Sequence, residues 1–415
     1  MGKLKNITKI TKMTGYYMAV FLKWLLVGLV VGVTVGLFGT AFAYAMKTAC
    51  GLRETYPYLL FGLPFSGLLI VVIYHSAGLR RHRGTNRVLL SVRTKSRIPA
   101  RVAPAIFAGT VLTHLCGGSA GREGAALQMG GSIAQQLGRW AKADEKTMHV
   151  FTMCGMSACF SALFGTPVTA AIFSMEVVSV GIMHYSALVP CAVASLSALA
   201  VSNYFHVGHM HFQVSGFPVN FDFLTGGKVC ILAVGCALVS MLFCICLHKF
   251  GKLYEHYFES HYVRIFVGGC LVVALAVILR TGDYLSVGER VIEEAVSGQA
   301  RPEAFLLKML FTALTLEAGF KGGEIVPTLF IGSTFGCVAA GLLGLSPSFG
   351  AMIGMVGLFC GVTNCPVTSV LLGLELFGGN GIQWFLLAAA VSYLLSGNYG
   401  LYSKQEILDA KEKAV

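Results

Sequence analysis

Two glutamates lie in glycine-rich stretches of a very apolar chain. Glu123 lies in GREGAALQMGG (residues 121–131), and Glu324 lies in GGEIVPTLFIGS (residues 322–333). A helix that begins at such a stretch exposes about four backbone amides without intrahelical partners, and its dipole adds partial positive charge there. Such a helix end binds anions. The two stretches therefore predict an anion site in which a carboxylate can take the place of the anion.

A membrane setting gives the Glu123 carboxylate a second role. Its charged form is costly when buried and unpaired, so we expect its protonation to depend on whether an anion has displaced it. We predict that Glu123, beside Arg122, is a gate that carries protons. For Glu324 three interpretations stay open: a second proton acceptor, a residue that coordinates or senses the anion, or a carboxylate paired with Lys321.

The composition indicates a membrane protein. Of the 415 residues 55% are hydrophobic and only 12% are charged, which is typical of a chain that crosses a bilayer several times. Fifty glycines suit helices that pack closely or break inside the membrane. We expect an all-α polytopic protein with no separate soluble domain.

The basic residues lie where a membrane topology requires them, so the net charge of +12 does not indicate that the protein binds nucleic acid. Residues 1–13 hold four lysines and no acid, and residues 80–101 hold eight Lys or Arg and no acid. The positive-inside rule makes both segments cytoplasmic, with membrane segments at roughly 18–46 and 55–77 between them. We expect a multi-pass protein of the plasma (inner) membrane with cytoplasmic N- and C-termini, and no cleaved signal peptide.

Later apolar runs are short and interrupted. Glycine, proline and polar residues break them at 117–124, 164–169, 321–327 and 361–368. A spanning helix needs about 20 residues, so several pieces are too short to cross the bilayer. They are predicted to be tilted half-helices that meet at membrane depth.

The interruptions recur in the second half of the chain. Gly121, Glu123, Gly131 and Ser132 match Gly322, Glu324, Gly332 and Ser333, each pair 201 residues apart. Pro167-Val168-Thr169 with Glu176 match Pro366-Val367-Thr368 with Glu375, each pair 199 apart. We expect two inverted repeats with the substrate site between them. Glu176 and Glu375 are expected to face water or a helix end.

These motifs resemble those of the CLC family of anion channels and anion/proton antiporters. GREGA is similar to its GREGP motif with the gating glutamate, here Glu123, and GGEIVP is similar to its GxFxP motif. FGTPVTAAIFSMEV and GLYSKQ resemble later segments, the last with the anion-coordinating tyrosine, here Tyr402. The resemblance implies a CLC-type fold over residues 1–415, with repeat halves of roughly 55–210 and 225–400, and a homodimer with one pathway per subunit. Because only residues 403–415 follow Tyr402, we expect no appended regulatory domain.

Three departures resemble the fluoride-exporting branch of that family. GTNRV places Thr85 and Asn86 where most members have GSGIP, Glu324 and Ile325 alter the GxFxP motif, and Val177 stands where exchangers carry an inner glutamate. The resemblance implies fluoride/proton antiport. The implied partners are fluoride, protons and the lipid bilayer, and neither a cofactor nor enzymatic activity is expected. The nearest alternative is a chloride channel or a chloride/proton exchanger.

A small, strongly hydrated anion needs close donors to replace its water. The candidates are the backbone amides of Gly124, Ile325 and Val326, the hydroxyls of Thr85 and Tyr402, the Asn86 amide, and the flanking Gly121 and Arg122. Tyr402 could instead be an interfacial anchor, and Thr85 a helix N-cap.

The sequence disfavours two functions of other classes. His206, His209 and His211 could serve an intramembrane metalloenzyme, but their spacing in a predicted loop without a helical HExxH motif favours a polar loop. A purely structural membrane protein is disfavoured by paired carboxylates at broken helices.

Overall fold

The structure is a computed structural model that describes residues 2–79, 84–212, 214, 218, 220–408 and 411. The side chains of residues 1–12 and 380 lie outside this description. The side chains of the N-terminal lysines, and residues Arg80, Arg81 and Arg83 of the second basic segment, therefore lie outside the described part of the structure. The charge argument for topology stays a prediction.

Helices make up nearly all the regular structure of the described residues. In chain order they are α1 (Gly2–Thr55), α2 (Leu63–Ser76), α3 (Thr85–Arg93), α4 (Val102–Leu115), α5 (Glu123–Trp140), α6 (Glu145–Phe164), α7 (Pro167–Glu176), α8 (Leu188–Tyr204), α9 (Phe223–Tyr257), α10 (His261–Leu279), α11 (Glu289–Val296), α12 (Ala304–Leu316), α13 (Ile325–Leu342), α14 (Pro347–Thr363), α15 (Pro366–Phe377) and α16 (Ile382–Leu395). Short 3-10 turns precede α2, α8 and α16. Two short strands, β1 (Ser179–Val180) and β2 (Glu406–Ile407), pair in parallel. The all-α prediction is confirmed.

Several helices are long and apolar enough to cross a membrane. They are Met13–Thr55, Pro57–Ser76, Glu145–Phe164, Tyr185–Tyr204, Phe223–Tyr257, His261–Leu279 and Ile325–Leu342. The first two carry the segments expected near 18–46 and 55–77. The chain is therefore a multi-pass membrane protein.

Other apolar helices are too short to span a bilayer. α4 and α16 have 14 residues each, which at a rise of about 1.5 Å per residue gives roughly 21 Å against a hydrocarbon core of about 30 Å. The breaks fall at the four predicted interruptions. Gly165 and Asn364 end α6 and α14 in left-handed conformations with φ of 73° and 57°.

The two halves pack in the same way. α5 packs on α6 and α13 packs on α14, while α6 contacts α8 and α14 contacts α16. Glycines allow α5 to approach α6 closely, and α13 to approach α14. A Cβ atom added to Gly130 would lie 2.0 Å from the carbonyl oxygen of Gly155, and a Cβ atom added to Gly332 would lie 2.5 Å from the carbonyl oxygen of Gly354. Backbone therefore meets backbone at both contacts, as expected for close packing of membrane helices.

The structural register of the repeat differs by one residue from the sequence match. α5 begins at Glu123 and α13 at Ile325, an offset of 202 rather than 201. The equivalent contacts of Gly130 and Gly332 share that offset. Glu123 is thus the first residue of its helix, whereas Glu324 is the N-cap of the other, and the two glutamates are not structural counterparts.

Candidate ion-binding site

Two backbone hydrogen bonds join the segments in front of α5 and α13. The Gly121 amide donates to the Gly323 carbonyl at 2.6 Å, and the Gly323 amide donates to the Gly121 carbonyl at 2.8 Å. Because the bonds are reciprocal, they bring together the N-termini of one helix from each repeat. The two helix ends that the sequence predicted to share one site are therefore adjacent.

The Glu123 carboxylate lies at this junction. The residue is fully buried, and its Oε2 atom accepts a hydrogen bond from the Val326 amide in the first turn of α13 at 3.2 Å. Its Oε1 atom has no hydrogen-bond partner among the described residues. A Cβ on Gly121 would lie only 2.3 Å from Oε2. The carboxylate thus occupies an amide-lined position that would suit an anion.

The Glu324 side chain lies beside the same junction. Its Oε2 atom is buried and has no hydrogen-bond partner in the described part of the chain. It interacts electrostatically with Glu123 and Tyr402. The Lys321 ammonium lies over the Tyr74 ring, 4.5 Å from its centroid, and forms no ion pair with any described residue. The interpretation of Glu324 as the partner of Lys321 is therefore wrong.

Two hydroxyl groups approach the junction from other elements. Tyr402 is buried, interacts electrostatically with both Glu123 and Glu324, and has a hydroxyl without a hydrogen-bond partner among the described residues. Thr85 is the first residue of α3, and its hydroxyl donates to the Gly124 carbonyl at 3.4 Å. Both candidate hydroxyls are thus next to the N-terminus of α5 or to its glutamate.

Gln128 is a polar neighbour that the sequence analysis missed. Its amide nitrogen donates to the Gly124 carbonyl at 3.0 Å and approaches the Thr85 hydroxyl at 3.5 Å. Its oxygen is buried without a hydrogen-bond partner among the described residues. The spacing of four residues from Gly124 puts both on one face of α5, which is the signal that could have revealed it.

Asn86 is positioned differently from Thr85. Its side-chain oxygen accepts a hydrogen bond from the Lys404 backbone amide at 3.0 Å. That bond ties the start of α3 to the segment that carries Tyr402. In this structure the Asn86 oxygen therefore fixes the position of the tyrosine segment.

Arg122 faces a large cavity. Its guanidinium lies 3.4 Å from the Glu289 carboxylate and packs over the Phe164 ring at 6.0 Å. The cavity has a volume of about 990 Å³ and is bounded by the end of α1, the 206–212 loop and residues 282–293. We call it the vestibule. Arg122 joins this vestibule to the N-terminus of α5.

The three histidines of the metalloenzyme alternative line the vestibule. The His209 ring lies 3.3 Å from the Ser202 hydroxyl, and the His211 ring lies 3.3 Å from the Glu375 carbonyl. Within the residues that the structure describes, no three potential metal ligands come together. The geometry gives His209 and His211 the hydrogen bonds of a polar loop, and His206 lines the same cavity.

Glu176 and Glu375 each cap a helix of the other repeat. Glu176 accepts hydrogen bonds from the Val367 and Thr368 amides at 3.0 and 2.8 Å, and also from the Thr368 hydroxyl. Glu375 accepts from the Val168 and Thr169 amides at 2.9 and 2.7 Å. Both face a helix end, which was one of the two expected positions. The reciprocity is what a two-fold relation between repeats produces.

Known proteins share this architecture along most of the chain. Residues 66–397 match the family model described as voltage gated chloride channel. The chain is 34% identical over 396 residues to a chloride/fluoride channel protein from Pseudomonas syringae pv. tomato, covering 94% of this chain and 87% of that protein. It is 24% identical over 326 residues to the H(+)/Cl(-) exchange transporter ClcA from Vibrio cholerae, covering 73% of this chain and 69% of the relative.

Solved structures give the same result. A crystal structure of a CLC-type fluoride/proton antiporter superposes with a TM-score of 0.90 and 32% identity, covering 93% of this chain and 98% of that one. A slow cyanobacterial Cl-/H+ antiporter superposes with a TM-score of 0.76 and 20% identity, covering 90% and 94%. The second similarity shows the fold alone.

Proposed function

This chain belongs to the voltage gated chloride channel (CLC) family, and from that premise we propose that it is a fluoride/proton antiporter. It exports fluoride and takes up protons in exchange. Glu123 is the gate and the proton-carrying carboxylate. The relatives named for fluoride, at 34% and 32% identity, support the choice of anion.

The contact between Glu123 and Val326 carries the proposal. In its charged form the carboxylate holds the α13 amide at 3.2 Å and occupies the anion position. Protonation removes the charge that the helix end attracts, so the side chain leaves and fluoride takes its place. Return of the charged carboxylate expels the anion. One carboxylate that competes with the anion thus couples proton entry to fluoride exit.

Fluoride needs short, strong hydrogen bonds to replace its water. The amides of Ile325, Val326 and Gly124 provide donors at the two helix ends. The hydroxyls of Tyr402 and Thr85 add further donors at the same junction. Val177, a buried side chain at the end of α7, stands where an inner glutamate would serve chloride exchange. Glu324 is the second carboxylate that handles the proton and the ion.

Transport from proteoliposomes tests this function. Vesicles loaded with potassium fluoride, or with potassium chloride, are diluted into buffer near neutral pH, and anion efflux is read with ion-selective electrodes. A fluoride gradient is expected to drive protons against their own gradient, as read by a pH dye inside the vesicles. Fluoride flux without uphill proton movement would contradict antiport.

Glu123→Gln isolates the gate in the same assay. The amide keeps the shape of the side chain but carries no proton, so we expect uphill proton movement to disappear. Glu259→Gln, at an exposed position after α9, is the matched control and should leave coupling intact. Unchanged coupling in Glu123→Gln would remove this residue from the mechanism.

Chloride transport is the second candidate. The Thr85 hydroxyl at the start of α3 favours it, because a hydroxyl there could coordinate chloride as the family's serine does. The comparison of fluoride and chloride efflux decides between the two anions.

Topology and assembly complete the proposal. We infer that both termini lie in the cytoplasm of a cell whose plasma (inner) membrane holds the protein, and the lysine-rich start of α1 and the basic segment before α4 support a cytoplasmic N-terminus. Residues 1–415 form one transmembrane domain with halves of roughly 55–210 and 225–400. Two copies form a homodimer with one pathway per subunit. Cross-linking of protein in native membranes tests the dimer.

A further inference from the structure

A second cavity lies apart from the junction of α5 and α13. It has a volume of about 100 Å³ and is bounded by the last turns of α2, the first turns of α10 and residues 318–321. We call it the Lys321 cleft. α1 and α2 are consecutive spans joined by a short turn, so the end of α2 lies on the opposite face from the vestibule, which the end of α1 lines.

Lys321 is held rigidly in this cleft. Its ammonium lies 4.5 Å from the centroid of the Tyr74 ring, and a Cβ on Gly109 would lie 2.9 Å from the Lys321 Cγ. The lysine stem therefore packs directly on the backbone of α4. The Lys321 backbone amide also donates to the Thr113 hydroxyl at 3.2 Å. These contacts fix the ammonium before any ligand arrives.

The cleft holds positive charge without a paired carboxylate. Neither Lys321 nor Arg264 forms an ion pair with a described residue, and the Arg264 Nε atom is buried without a hydrogen-bond partner among them. His75 and His261 also line the cleft. Cations removed from water need a counterion, and a cleft lined by one sign of charge concentrates the opposite ion.

Nearby carboxylates are directed elsewhere. The Glu317 carboxylate lies against α9, where a Cβ on Gly251 would be 2.6 Å from its Oε2 atom. Glu317 interacts electrostatically with Arg264, Glu255 and Glu324 but forms no ion pair with a described residue. Glu324 lies at the α13 junction. The positive charge of the cleft is thus only partly offset by these acids.

We propose that the Lys321 cleft is a second anion-binding site, which takes a small inorganic monoanion from the face where α2 ends. The volume suits a halide with part of its water, whereas pockets for nucleotide-sized ligands are about 300 Å³ or larger. Lys321 is followed directly by Gly322, Gly323 and Glu324, so an anion in the cleft lies one short segment from the junction of α5 and α13. Binding is independent of the transport function, but the further role of loading fluoride for export rests on the proposed function.

Bromide tests binding without requiring transport. Crystals of the full chain soaked in sodium bromide are expected to show anomalous density in the cleft, and Lys321→Met should lose it. Lys321→Arg keeps the charge and should keep the density. Absence of density in the wild type, or its persistence in Lys321→Met, would overturn the site.

Side-specific transport tests the loading role. We expect Lys321→Met to raise the fluoride concentration for half-maximal efflux from the α2-end face about tenfold, as expected for one lost charge-assisted contact. The maximal rate and proton coupling should be unchanged. Lys249→Met removes a charge from an exposed position on α9 and is the matched control. If Lys321→Met shows the same concentration dependence as the wild type, the loading role is wrong. If the wild type transports no fluoride, the proposed function is wrong, and the bromide experiment alone decides whether the cleft binds an anion.

Discussion

The Oε2 atom of Glu123 lies 3.2 Å from the backbone nitrogen of Val326, so a side chain of one repeat occupies the helix N-terminus of the other. Neither helix alone would make this site. The Val326 amide donates to one carboxylate oxygen, and the other oxygen has no hydrogen-bond partner among the described residues. A carboxylate with one unpaired oxygen can be displaced by a competing anion, which is the property that the proposed gate needs.

Gly121→Ala should displace Glu123, the proposed gate, without unfolding the protein. The new methyl group would lie 2.3 Å from Oε2 of Glu123, the end of a side chain that can rotate away. We expect anion efflux to persist while the number of protons moved per anion falls. Gly323→Ala is the contrasting variant, because its methyl group would lie 2.4 Å from the Gly124 backbone nitrogen. Gly323→Ala should therefore give a low yield of protein and a lowered melting temperature. The same melting temperature and the same coupling in both variants would contradict this geometry.

Glu324→Gln should slow exchange and leave the fold intact. The buried Oε2 atom has no hydrogen-bond partner to lose among the described residues, so we expect the free energy of unfolding to change by less than about 1 kcal/mol. Loss of a second charge beside Glu123 should reduce coupled fluoride flux in the proteoliposome assay. Glu303→Gln, exposed before α12, serves as the control. Wild-type flux in Glu324→Gln would exclude a direct role for this carboxylate.

Tyr402→Phe separates coordination from anchoring. The hydroxyl is buried and has no hydrogen-bond partner among the described residues, so its removal should leave the melting temperature unchanged. If the hydroxyl binds the anion, flux should fall by about tenfold, which corresponds to one lost charge-assisted hydrogen bond. Tyr399→Phe alters a half-exposed neighbour and should transport normally. A matching loss in both variants would indicate that the tyrosines serve only to anchor the segment.

Glu176→Gln should weaken stability more than transport. The substitution removes the charge that accepts hydrogen bonds from the Val367 and Thr368 amides, and caps of this kind contribute about 1–2 kcal/mol. We expect a melting temperature lowered by a few degrees in detergent, with proton coupling unchanged. Glu375→Gln removes the equivalent charge at the start of α7 and should behave alike. Loss of coupling with full thermal stability would instead place Glu176 on the proton route.

The sequence predicted the breaks well because local chemistry fixes them. Proline at the first position of α7 and α15, and glycine or asparagine at the preceding helix ends, determine where the helices start and stop. The positions of Glu123 and Thr85 next to helix N-termini followed from the same reasoning.

Contacts between distant segments were beyond such reasoning. The constant spacing of matching residues in the two repeats could not reveal that Gly121 pairs with Gly323. This pairing shifts the register of the repeats by one residue. The Asn86 amide is a candidate donor to the ion, but the sequence did not reveal that the Asn86 oxygen accepts a hydrogen bond from the Lys404 amide. Lys321 was a candidate partner of the nearby Glu324, yet its ammonium lies on Tyr74 from α2. In each case the choice of partner depends on packing between helices far apart in the chain.

The reciprocal caps of Glu176 and Glu375 have a consequence for biogenesis. When the ribosome has delivered only the first half, the amides at the start of α7 still lack the carboxylate that the second half supplies. Those amides would be exposed to lipid or held by the insertion machinery until α15 arrives, at the cost of an unsatisfied group in hydrocarbon. Each half therefore supplies a carboxylate that the other half needs to complete a helix end.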